Sequence, residues 1–352
     1  MKDNSVTKAA ILMVFIVMTA VAGYEMYLRS LGANVAYDDG AALWSGSRAK
    51  VYRQANEQVV FIGSSRIKYD LDIPTWNENT GLEAVQLACV GSSPRPMLED
   101  LANDANFKGR LIIDVTEPLF FSDAPFFVKT PNENIKYFHD RTYAQKASFH
   151  LNNLLESNLV FLDKDNYSMN AQLDALGLPN RPGVFQMPIF PRDFGRTTAD
   201  RQTYMTDPFV ADANQVNAVR GIWKFLMDGP KGPPMTDPQI AVIIQSVKKC
   251  TEKIKARGGE VIFVRTPSSG PFLMGEIKGF PRERYWDKLL TVTDCEGIHF
   301  QDYPSTANFQ CPEFSHLSLS DAKLYTVQFV KILSGEKRWA MNTSKNKQTN
   351  SF

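Results

Sequence analysis

The sequence predicts an α/β protein: a mostly parallel sheet with helices on both faces, an apolar helix ahead of it and a large insertion within it. Three observations predict this. Short, mainly apolar runs recur along the chain, at Val59–Ile62, Ala84–Val90, Leu111–Val115, Val261–Val264 and Ile298–Phe300. Such runs lack the in–out alternation of a half-exposed strand, so both of their faces are buried. Stretches with helical spacing lie between them, and Gly, Ser and Pro follow the strand ends as turn signals.

Taken in order, Lys2 and Lys8 precede the uncharged stretch Ala9–Tyr24, closed by Glu25 and Arg29. The stretch is slightly shorter than the roughly 20 residues of a usual membrane span, and Tyr24, Tyr27 and Leu28 extend it into the interface. Two readings stand. Residues 1–30 are an uncleaved single-pass anchor, or a signal peptide cut after Ala20-Val21-Ala22. Both export the rest of the chain. A buried helix of a soluble protein is a third reading, which the lack of a polar face opposes.

Residues 31–56 read as a juxtamembrane connector with helix signals over 41–54. The first half of the α/β domain spans 57–121, with a helix over Pro96–Asn106. Residues 122–235 lose the strand rhythm and form a partly helical insertion, expected over the C-terminal edge of the sheet, with one helix over Asn214–Met227. The run Gly229-Pro230-Lys231-Gly232-Pro233-Pro234 ends it. The second half, 236–335, opens with the capped helix start Thr236-Asp237-Pro238. Gly258-Gly259 stops that helix, Pro281–Leu290 reads as a short helix, and Ser318–Leu333 is the last helix. Residues 336–352 are a polar tail expected to be disordered.

Composition excludes several classes. With 39 basic and 38 acidic residues the formal charge is +1 and no basic block stands out, which argues against nucleic acid. Cys89, Cys250, Cys295 and Cys311 form no CxxC, which argues against a zinc or redox motif. Cys295 and Cys311 either pair, in an oxidising compartment, or are free thiols. Without GxGxxG, P-loop or HExxH patterns, neither a nucleotide nor a metal cofactor is implied.

Two segments carry chemistry. Gly63-Ser64-Ser65-Arg66 follows the first strand, where a glycine turn can lift a serine to the start of the next helix. Free backbone N–H groups there favour a developing oxyanion. Glu313-Phe314-Ser315-His316 precedes the last helix, so the histidine can take the serine's proton and the acid can orient the histidine. A second acid–histidine pair, Glu296-Gly297-Ile298-His299, puts its histidine inside a strand and reads as structural. Ser64 reads as the helix cap. Arg66, and Arg265 with Ser268 after the fourth strand, are candidates for holding a polar part of a substrate, against ordinary ion-pair and capping roles. Phe120, Phe121, Phe126 and Phe127 read as core rather than as a sugar platform.

This order of strands and motifs resembles the SGNH hydrolase superfamily, the GDSL esterases, over residues 57–118 and 236–333. The resemblance implies a flavodoxin-like α/β/α sandwich. It places the nucleophile on Ser65, an oxyanion-hole N–H on Gly91 beside that of Ser65, and the base and its acid on His316 and Glu313. The family's third block supplies an asparagine to the oxyanion hole; here the segment is Asp114-Val115-Thr116-Glu117-Pro118, so either the Thr116 hydroxyl donates or the hole has only the two backbone donors. Loss of one such donor typically costs about 3 kcal/mol.

With the N-terminal anchor, the chain resembles the branch of that superfamily tethered outside the cytoplasm, which moves acyl groups on surface polymers beside a membrane-bound O-acyltransferase. The resemblance implies an esterase or acyltransferase acting on a cell-surface polysaccharide, without a cofactor. Two other readings stand: a non-catalytic subunit that binds glycan or an acyltransferase partner, and a plain lipid or carbohydrate esterase.

Overall fold

The structure, a computed structural model, describes residues 4–54, 57–174, 176, 181, 183, 188–229, 232, 234–337 and 339. Residues 340–352 of the polar tail and Pro230, Lys231 and Pro233 of the breaker run lie outside the described residues. The chain divides into two compact units, Met1–Asp38 with Tyr143–Gln186, and Asp39–Thr142 with Met187–Phe352.

The larger unit is built on strands β1 (Gln58–Ile62), β2 (Glu83–Gln86), β3 (Arg110–Asp114), β4 (Arg196–Thr197), β5 (Thr203–Tyr204), β6 (Glu260–Arg265) and β7 (Glu296–His299). Five of them form one sheet in the order β2-β1-β3-β6-β7. Every pair in it is parallel, with Val60 opposite Val85 and Leu111, and Val264 opposite Ile298. β4 and β5 form a separate antiparallel ribbon that the sequence reading missed. Two residues per strand carry too little pattern to be recognised.

Alternate residues of each strand feed two separate cores. Val60, Ile62, Leu111, Ile113 and Phe263 pack with Leu98, Leu101, Ile243, Val247 and Leu289 on one face. Val59, Phe61, Ile112, Ile262 and Val264 pack with Ile67, Trp76, Tyr325, Phe329 and Leu333 on the other. The first layer comprises the helices Arg95–Asn103, Asp237–Lys255 and Trp286–Thr293; the second comprises Ser65–Asp70, Ile73–Thr80 and Leu319–Gly335. The mainly apolar strands are thus explained by burial on both sides.

Local signals account for the element limits. Asp237–Lys255 starts with a capping box between Thr236 and Gln239 and a proline in its first turn. Leu319–Gly335 starts on Ser318, whose hydroxyl accepts the Asp321 N–H. The Pro281–Leu290 helix is instead a 3-10 turn, Arg282–Arg284, followed by the helix Trp286–Thr293. Arg282 reaches Asp287 and Asp302 and fixes that turn away from the helical path. β2 ends at Gln86, short of Val90, because Trp44 Nε1 (2.8 Å) takes the Leu87 carbonyl and Arg201 takes those of Gln86 and Ala88.

Two boundaries move. The helix Ala41–Arg48 belongs to the larger unit and is no connector: Trp44 lies in its core, and buried Arg48 pairs with Asp100 (2.7 Å) and Asp104 (2.9 Å). The insertion is not one body, since 143–186 falls in the unit that contains the N-terminal helix. All four cysteines are free, so the Cys295–Cys311 pairing is not formed. Phe120 and Phe121 are core, whereas Phe126 is exposed.

In the smaller unit the helix Ser5–Ser30 is, among the described residues, the one long and apolar enough to cross a membrane, and no residue of its apolar window is buried. The helices Tyr143–Glu156, Lys164–Tyr167 and Met169–Asp174 and the 3-10 turn Val160–Leu162 complete that unit.

Gly63, between β1 and the helix Ser65–Asp70, has no room for a side chain. A Cβ there would lie 2.6 Å from both Asp114 Cβ and Ile67 Cγ2. We predict that Gly63→Ala lowers stability by about 1–3 kcal/mol, read as a shift of the urea unfolding midpoint. An unchanged midpoint would show that the β1 and β3 ends are not held this closely.

Candidate active site

The parallel sheet brings the C-terminal ends of β1, β2, β3 and β6 to one edge, where ligands of open α/β sheets bind. At the end of β1 the chain turns through Gly63 into the helix Ser65–Asp70. Ser64 is its N-cap and accepts the Arg66 N–H. Ser65 is the first helical residue and the one residue between positions 58 and 73 that is not buried. The Cys89 N–H donates to the Gly63 carbonyl at 3.2 Å, tying the turn after β2 to this one. Gly91 in that second turn is exposed, with φ of +61°, which favours glycine, and its N–H makes no hydrogen bond among the described residues.

The segment before the last helix faces Ser65. His316 Nε2 lies 2.8 Å from Ser65 Oγ, and His316 Nδ1 lies 2.9 Å from Glu313 Oε1. A carboxylate only accepts, so the Nδ1 proton points at Glu313 and Nε2 is left to accept from the serine. Glu313 is fully buried yet well satisfied. Oε1 also accepts the backbone N–H groups of His316 (2.6 Å) and Ser315 (3.3 Å), and Oε2 accepts the Trp223 indole N–H. The turn needs Phe314 at φ +81°, a left-handed conformation rare for a side chain of this size. Gly270 makes room for it, since a Cβ there would lie 2.7 Å from the Phe314 ring. The Ser269 N–H holds the Phe314 carbonyl at 2.9 Å.

Aromatic rings enclose the imidazole. Tyr69 lies 4.4 Å from it between centroids, Phe194 5.8 Å and Trp223 6.2 Å. Tyr69 belongs to the helix of Ser65, whereas Phe194 and Trp223 belong to the insertion. None of the three was singled out from sequence. Trp223 stands 90 residues before Glu313, on an amphipathic helix where a tryptophan reads as core. The insertion also braces the turn after β2. Arg201, fully buried, donates to the carbonyls of Gln86 (2.8 Å) and Ala88 (3.0 Å) and pairs with Asp39.

Two expectations are corrected. Arg66, Arg265 and Ser268 are each at most 2% exposed and converge on a buried carboxylate instead of opening to the sheet edge, although Arg66 Nη1 has no hydrogen-bond partner among the described residues. Glu276 accepts from all three, and Arg265 also pairs with Glu117 at 3.1 Å. Burial opposes ionisation of Glu276, but the charges of Arg265 and Arg66 more than offset it and hold the carboxyl at about 2. Burial pushes Glu117 up despite Arg265, and Asp114 up despite Arg66.

Thr116 is the second correction. Its hydroxyl contacts Asp114 Oδ2 (3.0 Å) and Ser64 Oγ (2.7 Å), and Ser64 also donates to Asp114 at 3.2 Å. A Thr116 proton given to Asp114 or Ser64 is not available to an oxyanion, so the hydroxyl is engaged in supporting the turn.

The other acid–histidine pair is not assembled. Glu296 pairs with Lys337, while His299 Nδ1 accepts the Gln301 N–H at 3.2 Å and its ring stacks on Phe300. Among the described residues no cluster of His, Cys, Asp or Glu could hold a metal ion.

The fold and site define an α/β protein whose parallel sheet presents a Ser65–His316–Glu313 relay at its C-terminal edge. No family model matches the chain, and no curated protein matches it.

Two measurements check this geometry. Trp223→Phe keeps a ring but removes the donor to Glu313, and should slow the reaction of Ser65 with a fluorophosphonate about tenfold, or ~1.4 kcal/mol. An unaltered rate would show that the indole does not position the relay. The second uses pH. Burial first, then the charges of Arg265 and Arg282, hold His299 at about 3. Below its ordinary value of roughly 6.5 the unfolded chain binds a proton that the folded chain refuses. Stability therefore falls as pH drops from 6.5 towards 3, by up to about 1.4 kcal/mol per unit. Urea denaturation of His299→Gln should lack this part of the slope.

Proposed function

We propose that the chain is a membrane-anchored, serine-dependent acyl-transfer enzyme of SGNH type, acting outside the cytoplasm on acyl esters of a cell-surface polysaccharide. The observation that carries this reading is the continuous relay from Ser65 Oγ through His316 to Glu313, at 2.8 and 2.9 Å. The strand order β2-β1-β3-β6-β7 supports it, being the doubly wound order of flavodoxin-like folds, and Ser65 follows β1 beside the reversal of that order. The exposed Gly91 turn tied to Gly63 suits an oxyanion donor.

In the first step Ser65 Oγ attacks the ester carbonyl and its proton passes to His316 Nε2. The N–H groups of Ser65 and Gly91 receive the oxyanion. The tetrahedral adduct collapses, the alcohol leaves with the proton from His316, and an acyl-serine remains. In the second step an acceptor hydroxyl gives its proton to His316 and attacks the acyl carbon, and Ser65 leaves with that proton. Water as acceptor gives an esterase or deacetylase, and a sugar hydroxyl gives an O-acyltransferase. Glu313 stabilises the imidazolium in both steps, and the aromatic wall around His316 keeps water from weakening that ion pair. No cofactor is required.

The helix Ser5–Ser30 serves as the anchor, with signal-peptide cleavage as the alternative, and Arg29 ends its apolar run. A membrane-bound O-acyltransferase in the same bilayer is the fitting acyl supplier, because an acyl group delivered through the membrane needs an acceptor held at its surface.

Incubation of the full-length protein in detergent with a fluorophosphonate probe tests the reading. Labelling of the wild type that is lost in both Ser65→Ala and His316→Ala is the expected result. A folded wild type that stays unlabelled would sink the nucleophile and leave a glycan-binding subunit without catalysis.

A further inference from the structure

The helix Tyr143–Glu156 is built inside out. None of its residues is buried. Its half-buried positions are Phe149, Asn153 and Glu156, which share one side at helical spacing. Ala147, Leu151, Leu154 and Leu155 occupy the opposite side and point away from the unit, with Leu151 59% and Leu154 60% exposed. Tyr143, at the start of that face, is 89% exposed. A helix that turns Phe149, Asn153 and Glu156 inwards and three leucines outwards is missing a partner for the leucines.

The same unit says what that partner is. The residues just after this helix are hydrogen-bonded to the end of the N-terminal apolar helix. Glu25, almost fully buried, accepts the N–H groups of Val160 (3.0 Å) and Phe161 (3.2 Å). Arg29 donates to the Asn158 carbonyl at 2.9 Å and bridges back to Glu25 at 2.7 Å. Glu25 and Arg29 close the apolar run, and Tyr24 and Tyr27 beside them are exposed aromatics suited to the headgroup layer. The outward leucines are therefore tethered within a few residues of the level at which the anchor leaves the bilayer.

We propose that Tyr143–Glu156 is an interfacial helix: its face of Ala147, Leu151, Leu154 and Leu155 enters the lipid surface that Ser5–Ser30 crosses. A leucine-rich face with little net charge around it is held there by burial of apolar area rather than by attraction to anionic lipid. The proposal rests on the membrane reading of the N-terminal helix.

Nitroxide labels on the full-length protein test it, in vesicles of phosphatidylcholine and phosphatidylglycerol. Labels are placed one at a time by Leu151→Cys, Leu154→Cys, Asn152→Cys and Lys146→Cys, in a Cys250→Ser, Cys295→Ser background whose thermal unfolding matches the wild type. Labels at 151 and 154 should be several-fold more accessible to dissolved oxygen than to a water-soluble nickel chelate, and those at 146 and 152 the reverse. Equal exposure of all four to the chelate would overturn the proposal, since the helix would then lie in water. So would shielding of 151 and 154 from both reagents, which would show a protein cover such as a second copy. Val14→Cys separates the two levels. A lipid-buried label at 14 with a watery helix at 151 defeats this inference alone, whereas a watery label at 14 defeats the anchor as well.

Discussion

A set of buried charges that must neutralise one another holds the edge of the sheet together. Arg66 comes from the helix after β1, Glu117 from the segment after β3, Arg265 from the end of β6 and Glu276 from the helix Gly270–Gly279. Arg66 and Arg265 both close on Glu276, and Arg265 also reaches Glu117. None of these groups has water to solvate it, so removing one partner strands a charge and costs about 3–5 kcal/mol. The network thus fixes the spacing of three strand ends. Ser65 precedes Arg66 and inherits that fixed position, and Arg66 also donates to Ser315, the neighbour of His316.

Beneath this network the polar contacts divide between support and chemistry. Asp114, Ser64 and Thr116 satisfy each other under the turn. Asp70, which burial pushes well above the ordinary carboxylate range, accepts the Leu317 N–H at 2.9 Å and so fixes the chain just after His316. These residues make no contact with Ser65 Oγ. Their work is to hold the serine turn and the histidine turn at hydrogen-bonding distance.

How much of this was legible in the sequence follows from which interactions are local. The strands were legible because burial on both faces leaves an uninterrupted apolar run, as in Val59–Ile62. Ser65, His316 and Glu313 were legible because each lies in a short motif beside a recognisable element. Arg66 and Arg265 stay open in the sequence between a substrate contact and an ordinary ion pair, because a charged residue after a strand does not show its distant partner. Glu276 lies 210 residues from Arg66, in a helix whose own pattern says nothing of ion pairs. Trp223 was overlooked for the same reason, since its link to Glu313 exists only in the folded chain. The ribbon of β4 and β5 was too short to show, although Arg201 between those strands clamps the turn that leads to Gly91.

The hydrogen bond from Trp223 to Glu313 carries a consequence for modularity. An insertion that only covered a sheet edge could be exchanged or trimmed, like a loop grafted onto a scaffold. Here the insertion supplies the indole that saturates the relay's acid and two of the rings that enclose its histidine. Grafting another segment over the same sheet would leave a buried carboxylate oxygen without its donor. The sheet and the stretch carrying Phe194 and Trp223 are therefore one inheritable unit, and recombination between them would separate the acid from what keeps it in place.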